Sequence, residues 1–402
     1  MPFNHSKLSL VAIIFLMVST TVQGQKANSD TSNSVRNMPI ISGYGEASYT
    51  YLDRQQKASF NFNRAVVLMS YRFNKNIQLV TEFELESAGV EAGGRSGEFS
   101  IEQAYLEFKL NKNNRIVAGL FIPRIGYTNE YHLPGDHFGV ARPIVETVII
   151  PTTWREMGIS LKGNFENLGG MEYQLSLMNG LNAENLEYGN GLRGASQEGR
   201  ATLGNSLALQ GAINGYTGPI RLQLSGYIGG SAPYEPKLAD SLGLESGPFG
   251  SPVFLVEGNA MYNNGPWQIR ALATMINISK AKDINKAFAS NVPEELWGGY
   301  LELGYNFLHK NENRKLIGFT RFEMLDMNAK VPENGIQNDA LKQNYLIAGL
   351  LYEPTSGVSI KADYTFKSTG DYNKDLLIAP FPTQNRYYTQ QGIWSLGIGY
   401  SF

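Results

Sequence analysis

The feature that most constrains this chain is a two-residue alternation of apolar and polar side chains, repeated in many short segments. Between Ile77 and Glu86 the odd-numbered residues are mainly apolar and the even-numbered residues are mainly acidic. Because successive side chains of a β-strand point to opposite faces, this segment predicts a strand that lies between two different environments. The same alternation recurs in 171–178, 220–228 and 358–366.

The connections between these segments alternate between short and long. Seven are tight and rich in turn-forming residues, such as Asn74–Asn76 and Asn263–Gly265. The connections between them are mostly longer, and only the first, near 53–58, is short. This rhythm is typical of a transmembrane antiparallel β-barrel with short periplasmic turns and long outer loops, in which an even strand number leaves both termini in the periplasm. We therefore predict an all-β fold of about sixteen strands, at 40–52, 59–73, 76–87, 98–110, 114–122, 154–166, 170–178, 203–214, 218–229, 253–263, 266–277, 297–307, 314–325, 341–353, 356–367 and 390–402.

Charge separates this interpretation from a soluble β-sandwich, which would also alternate. Only 17% of the residues are charged, and the outer face of a membrane barrel must be apolar over a band about 25 Å tall. The formal net charge of −2 gives no electrostatic surface for nucleic acid. The absence of cysteine excludes disulfides and thiolate metal sites.

Both ends of the chain carry targeting patterns. Lys7 precedes the apolar run Leu8–Val18, and small residues follow up to Gly24. This predicts a signal peptide at 1–24, followed by a flexible polar lead-in at 25–38 and a barrel at 39–402. In the last segment Trp394, Tyr400 and Phe402 share one face, an ending that resembles the signature read by the barrel assembly machinery.

A run of about forty residues, 118–158, carries a family resemblance. Its characteristic parts are Gly119–Pro123, Asn129-Glu130, His132, Arg142-Pro143, Glu146-Thr147 and Ile150–Glu156. The run resembles porin-like outer-membrane proteins of the Bacteroidota, related to the phosphate-selective porin O/P group. The resemblance implies a trimeric sixteen-stranded porin in the outer membrane of a Gram-negative bacterium, whereas the phosphate label belongs to the relatives.

The third outer loop, 123–153, differs in composition from a solvated loop. Val145, Val148, Ile149 and Ile150 are too apolar to remain in water, so we expect the loop to fold inward against the barrel wall. A sixteen-stranded barrel leaves an aqueous channel unless something partly fills it. The charged residues in and beside this loop are then candidates for a pore constriction, although they could equally pair with one another to hold the loop on the wall. They are Arg124, Glu130, Arg142, Glu146, Arg155 and Glu156.

The phase of the strands predicts which charges face the lumen. The candidates are Arg64, Arg72, Glu82, Glu84, Arg221, Arg270, Arg321 and Lys361. This mixture argues against a dedicated anion filter, which would show a basic ladder with few acids. Acidic residues on the segments near 76–110 and basic residues elsewhere would instead create a transverse field.

We thus predict an outer-membrane porin for passive diffusion of small hydrophilic solutes or ions. It would form a homotrimer in outer-membrane lipid and need no cofactor. Two alternatives remain open: a closed structural or adhesive barrel that acts through its outer loops, and a periplasmic β-rich binding protein or enzyme. We expect no catalytic residues and no metal site, because the Pro134-Gly135 turn explains the proximity of His132 and His137.

Overall fold

The computed structural model describes residues 38–87, 98–199, 204–373, 376 and 387–402. The predicted signal peptide and nearly all of the predicted lead-in lie outside these residues. Within them the chain forms sixteen antiparallel strands, each paired with its neighbours in sequence, and β1 pairs with β16 to close a barrel. The predicted fold class is therefore confirmed. The strands are β1 Ile40–Leu52, β2 Lys57–Asn74, β3 Ile77–Glu86, β4 Glu98–Lys109, β5 Asn114–Phe121, β6 Glu156–Phe165, β7 Met171–Asn179, β8 Leu207–Thr217, β9 Ile220–Gly229, β10 Val253–Asn264, β11 Trp267–Ile278, β12 Glu295–Asn306, β13 Lys315–Lys330, β14 Lys342–Thr355, β15 Val358–Thr369 and β16 Gln390–Ser401.

The two faces of the wall are the reverse of those of a water-soluble sheet. In β9, the outward Leu222 and Leu224 are 51% and 56% exposed, whereas the inward Arg221 is only 3% exposed. Polar Gln223 and Ser225 are buried beside Arg221. Because apolar side chains are normally the buried ones, this wall is built for an apolar exterior and a polar interior.

The barrel closes where the last strand meets the first. Gly43 and Phe402 exchange two backbone hydrogen bonds of 3.0 and 2.9 Å. A Cβ atom at Gly43 would lie 2.5 Å from the carbonyl oxygen of Val66, so only glycine fits this close approach. Trp394, Tyr400 and Phe402 are exposed on the outer face.

Short turns lie at one end of the barrel and the longer connections at the other, which we call the short-turn end and the long-loop end. The described parts of the long loops contain three short α-helices: α1 Val145–Val148, α2 Pro236–Leu242 and α3 Ala281–Phe288. Among the described residues, the chain has no helix with the length and apolarity needed to cross a membrane.

Most predicted strand boundaries lie within a few residues of those observed. The largest difference is β13, which continues to Lys330 instead of ending near 325. The end of this strand is held on β12, because Lys330 pairs with Glu295 and its carbonyl accepts a 2.7 Å hydrogen bond from the Glu294 backbone.

Candidate functional site

The connection between β5 and β6, residues 122–155, lies inside the barrel, and we call it the inner loop. Inward-facing side chains from several strands bond to its backbone. Gln210 on β8 donates to the Arg124 carbonyl at 3.0 Å, and Gln223 on β9 donates to the Gly126 carbonyl at 3.1 Å. These amides hold the first part of the loop against the wall.

The opposite wall holds the later part of the inner loop. Asp363 on β15 accepts a 2.6 Å hydrogen bond from the Val140 backbone, and Glu323 on β13 accepts one of 3.0 Å from Val145. The Lys361 ammonium donates to two loop carbonyls at 2.8 and 3.0 Å. The inner loop therefore spans the lumen from β8 to β15.

Glu146 joins two parts of the inner loop to each other and to the wall. Its Oε2 accepts hydrogen bonds from the backbones of Tyr127 and Thr128, both at 2.7 Å, and from the Thr128 hydroxyl at 3.0 Å. Its Oε1 accepts one of 2.7 Å from the Tyr300 hydroxyl on β12. Burial raises the pKa of Glu146 to about 6 although these donors favour the charged form.

The apolar residues of the inner loop pack on the inner face of β12. Val145, Ile149 and Ile150 are fully buried. Gly298 makes room for them, because a Cβ atom there would lie 2.6 Å from Ile149 and 3.2 Å from Val145. These loop residues belong to the same buried apolar cluster as Leu296 on β12. The apolar part of the loop is therefore buried against an apolar stretch of an otherwise polar inner wall.

Beside this apolar contact lies a buried network of charges on β11 to β13. Arg321 pairs with Glu302 at 3.0 Å and with Glu323 at 2.8 Å, and Arg270 also pairs with Glu302, at 3.1 Å. The Arg321 guanidinium also donates to the Ala141 carbonyl of the loop at 3.4 Å. These charges hold the loop and one another.

Two of the predicted constriction charges bond to the wall near the short-turn end. Arg124 pairs with Glu130 at 2.8 Å and with Glu172 on β7 at 3.0 Å. Glu130 also pairs with Arg221 on β9. The Arg221 guanidinium lies 5.2 Å from the ring centre of Tyr131.

Glu156 and Arg155 bond to the connection between β7 and β8, which we call the fourth loop. Glu156 is fully buried and accepts hydrogen bonds from Trp154 at 3.0 Å, from Asn179 at 2.6 Å and from the Gln197 backbone at 3.1 Å. Arg155 pairs with Glu198 at 3.1 Å.

A cavity of about 660 Å³ lies on the remaining side, between the inner loop, the fourth loop and β1 to β4, and we call it the chamber. On its wall a single guanidinium is shared by three carboxylates. Arg64 lies 3.0 Å from Glu46, 2.9 Å from Glu84 and 3.5 Å from Glu86. The wall therefore carries an excess of negative charge.

The inner loop presents Arg142 and His137 to the chamber. Arg142 donates to the Thr152 hydroxyl at 2.6 Å and to the His132 carbonyl at 3.0 Å, and its buried Nε has no hydrogen-bond partner among the described residues. Both ring nitrogens of buried His137 are also without one, and Nε2 lies 3.8 Å from Glu46. Burial, reinforced by neighbouring cations, holds the pKa of His137 well below its ordinary value.

A layer of buried polar groups lies next to the chamber, between the loop and β1, β3 and β4. His132 Nε2 is 3.7 Å from Glu82, and the Tyr44 ring centre is 5.8 Å from that of His132. Glu102 is fully buried, and neither of its carboxyl oxygens has a hydrogen-bond donor among the described residues.

The sequence prediction missed Glu102, and the reason is a β-bulge. Glu82 pairs with Gln103, but the next residue, Phe83, pairs with Ile101, so Glu102 is skipped in the ladder. A bulge changes the phase of a strand, and strict alternation could not place Glu102 on the inner face. Arg72 differs from the other predicted lumen residues, because it borders a separate cavity of about 320 Å³ at the short-turn end.

No group of three or more His, Asp or Glu side chains is placed to hold a metal ion within the described parts of the chain. Glu130, His132 and His137, which the sequence places close together, contact different partners.

Comparisons with known proteins agree with this architecture. No protein-family model matches the chain. An uncharacterized protein of Aquifex aeolicus (strain VF5) is 28% identical over 337 residues, which cover 81% of this chain and 74% of that protein.

The chain is also similar to solved porin structures. Salmonella typhi OmpF in complex with daunomycin is 10% identical with a TM-score of 0.56, over 91% of this chain and 98% of OmpF. An anion-selective porin from Comamonas acidovorans is 11% identical with a TM-score of 0.55, over 91% and 100%. In vitro folded OmpT of Vibrio cholerae, in trimer form, is 10% identical with a TM-score of 0.52, over 91% and 99%. The likeness is one of fold, and the narrower resemblance to the phosphate-selective group of the Bacteroidota stays a prediction.

Proposed function

We propose that this chain is a porin in the outer membrane of a Gram-negative bacterium and lets small hydrophilic solutes or ions diffuse passively. The long-loop end would face outward and the short-turn end the periplasm. The apolar exterior and the barrel fold that the chain shares with solved porins support this proposal. They favour a channel over an enzyme.

The observation that carries the proposal is the one-sided filling of the lumen. On the β8 to β15 side the inner loop is bonded to the wall, whereas a chamber of about 660 Å³ remains beside β1 to β4. A second cavity of about 320 Å³, lined by Arg72, Gln78, Glu107 and Arg115, lies beside β2 to β5 at the other end. The solute path would therefore run along β1 to β5, through the buried layer of Tyr44, Glu82 and Glu102.

This path assigns roles to the predicted site residues. Arg64, Glu84, Arg142 and Arg155 would line the outer part of the path, and Glu82 would lie in its narrowest part. The other candidates would hold the inner loop or the fourth loop in place. These are Arg124, Glu130, Glu146, Glu156, Arg221, Arg270, Arg321 and Lys361.

Recording from the purified protein in a planar lipid bilayer under a KCl gradient tests the proposal. We expect discrete conductance steps that are small for a sixteen-stranded barrel, because the loop fills most of the lumen. A silent membrane, with a folded barrel confirmed by heat-modifiable migration on gels, would contradict it.

The closed barrel is the second candidate, and the buried layer favours it. Tyr44 is 3% exposed, Glu82 1% and Glu102 0%, so that in this conformation the two cavities are separated. In that case the outer loops, and not the lumen, would contact the partners. The same bilayer recording distinguishes the two candidates.

Assembly and oligomeric state belong to the same proposal. Trp394, Tyr400 and Phe402, exposed at the barrel seam, would be read by the barrel assembly machinery. A homotrimer in outer-membrane lipid is supported by the trimer form of the Vibrio cholerae OmpT structure. Conductance steps in groups of three would support the trimer, and single steps with a monomer mass in detergent would contradict it.

A further inference from the structure

The chamber carries opposite charges on its two faces. The barrel face has Glu46, Glu84 and Glu86 around one guanidinium, that of Arg64. Three carboxylates around one cation leave an excess of negative charge. Because Glu86 is about one-third exposed, this charge is open to a solute in the chamber.

The loop face is built differently. Among the described residues, Arg142 has no carboxylate within ion-pair distance, and it donates hydrogen bonds to a hydroxyl and a carbonyl. It is only 6% exposed, and its Nε has no hydrogen-bond partner. His137 beside it is 2% exposed, and neither of its ring nitrogens has a hydrogen-bond partner among the described residues. Buried charges are normally paired, so the Arg142 guanidinium, which lines the chamber without a carboxylate partner, indicates a missing anionic group at the loop face.

We propose that the chamber binds small dipolar solutes that carry one carboxylate and one ammonium group, such as a short peptide. The carboxylate would accept hydrogen bonds from Arg142, and the ammonium group would lie against Glu84 and Glu86. The chamber volume of about 660 Å³ falls within the usual range for small-molecule sites, roughly 300–1,000 Å³.

A solute with a single charge fits this arrangement less well. An anion that reaches Arg142 also faces the excess negative charge of the wall, and a cation at Glu86 faces Arg142. Only a solute with both charges gains from both faces at once, since like-charge juxtaposition opposes binding. This inference deepens the proposed function by naming the solute class and rests on it for access to the chamber.

Isothermal titration calorimetry on the full chain, folded in detergent, tests the proposal with four alanine derivatives. L-alanyl-L-alanine has both charges, N-acetyl-L-alanine only the carboxylate, L-alaninamide only the ammonium group, and N-acetyl-L-alaninamide neither. We expect the Kd of the dipeptide to be at least about tenfold lower than that of each of the other three, as one well-placed charge contact contributes about that factor. Equal binding of all four, or binding of none, would overturn the proposal.

Variants assign the two faces. Arg142→Gln should reduce the ratio of the Kd of L-alaninamide to the Kd of the dipeptide by about tenfold. Glu86→Gln should reduce the ratio of the Kd of N-acetyl-L-alanine to the Kd of the dipeptide by about the same factor. Arg314→Gln and Glu312→Gln, in an exposed turn far from the chamber lining, are matched controls and should bind like the wild type. If Arg142→Gln disturbs the inner loop, Glu86→Gln on the barrel wall still decides the outcome, and unchanged preference in Glu86→Gln would refute the assignment.

Bilayer recording of the same preparations separates this inference from the proposed function. Conductance steps without dipeptide preference in calorimetry would contradict the solute class alone. Selective binding of the dipeptide by a barrel that conducts no ions would contradict the channel and leave the binding site standing.

Discussion

Removing the Glu146 carboxylate should release the inner loop from the wall. The side chain accepts four hydrogen bonds, three from the loop itself and one from Tyr300 on β12. Glu146→Ala leaves these four donors buried without their acceptor. A buried donor left without its acceptor costs about 1–3 kcal/mol, so the loss of all four bonds should cost at least about 3 kcal/mol even when water satisfies some of the donors. The ratio of undocked to docked loop should therefore rise about a hundredfold or more.

Two measurements check this expectation. Single-channel recording should show a larger and noisier conductance for Glu146→Ala than for the wild type. Hydrogen exchange followed by mass spectrometry should show faster exchange in peptides from 122–155 and no change in the strands of the barrel. Glu146→Gln preserves the shape, and its amide can still accept from the loop and donate to Tyr300, so we expect only a small effect. Glu235→Ala, at an exposed carboxylate in another loop, is the matched control.

The pKa of Glu146 adds a pH dependence to the same experiment. Because burial raises this pKa to about 6, the docked loop binds the proton more tightly than the undocked loop. Docking is therefore most stable below the ordinary carboxyl pKa and loses about 2 kcal/mol as the pH rises through 6. Glu146→Gln cannot titrate, so its loop exchange should lack this component between pH 4.5 and 7. Equal exchange and conductance in the wild type and in Glu146→Ala would refute the reasoning.

Three further predictions concern other parts of the barrel. Arg321→Gln leaves the buried Glu323 carboxylate without its guanidinium partner and should cost about 3–5 kcal/mol, seen as a lower urea midpoint of unfolding; an unchanged midpoint would contradict it. Gly119→Ala should reduce the folded fraction on heat-modifiable gels, because Gly119 has φ of 137° and its Cβ would lie 2.4 Å from the Ala104 carbonyl oxygen, whereas Gly211→Ala meets open space and should fold normally. Burial holds the pKa of His137 well below its ordinary value, so the contribution of neutral His137 to docking of the inner loop is present above pH 6.5 and is lost on acidification. Backbone hydrogen exchange in 122–155 should therefore be slower in His137→Gln than in the wild type at pH 5.

The fold could be predicted from the sequence because the two-residue alternation and the turn rhythm are local properties. Each strand shows its period without reference to its neighbours, and the number of turns fixes the strand count. The alternation did not place Glu102 on the inner face, because a bulge changes the phase of β4 there and the bulge depends on how β3 and β4 pair. The apolar character of Val145 and Ile149 likewise indicated packing, but only the structure identifies Gly298 as the place that receives them.

The site was harder to predict, because an inward charge has two possible uses that look identical in sequence. Arg64 and Arg321 both occupy inward positions on strands with acidic neighbours. Arg64 borders the chamber, whereas Arg321 lies beneath the inner loop and donates to its backbone. The difference depends on which wall the loop covers, and that is determined by contacts between residues far apart in sequence, such as Val145 with Glu323.

The division of the wall charges has a consequence for selectivity. Charges beneath the loop, such as Lys361 and Arg321, are compensated by loop carbonyls or by wall carboxylates, so they contribute little field to a solute. The field in the chamber then comes from the remaining side, where Glu46, Glu84 and Glu86 outnumber Arg64. Ion preference should accordingly respond to neutralisation on β1 to β4 and be nearly insensitive to neutralisation on β13 to β15.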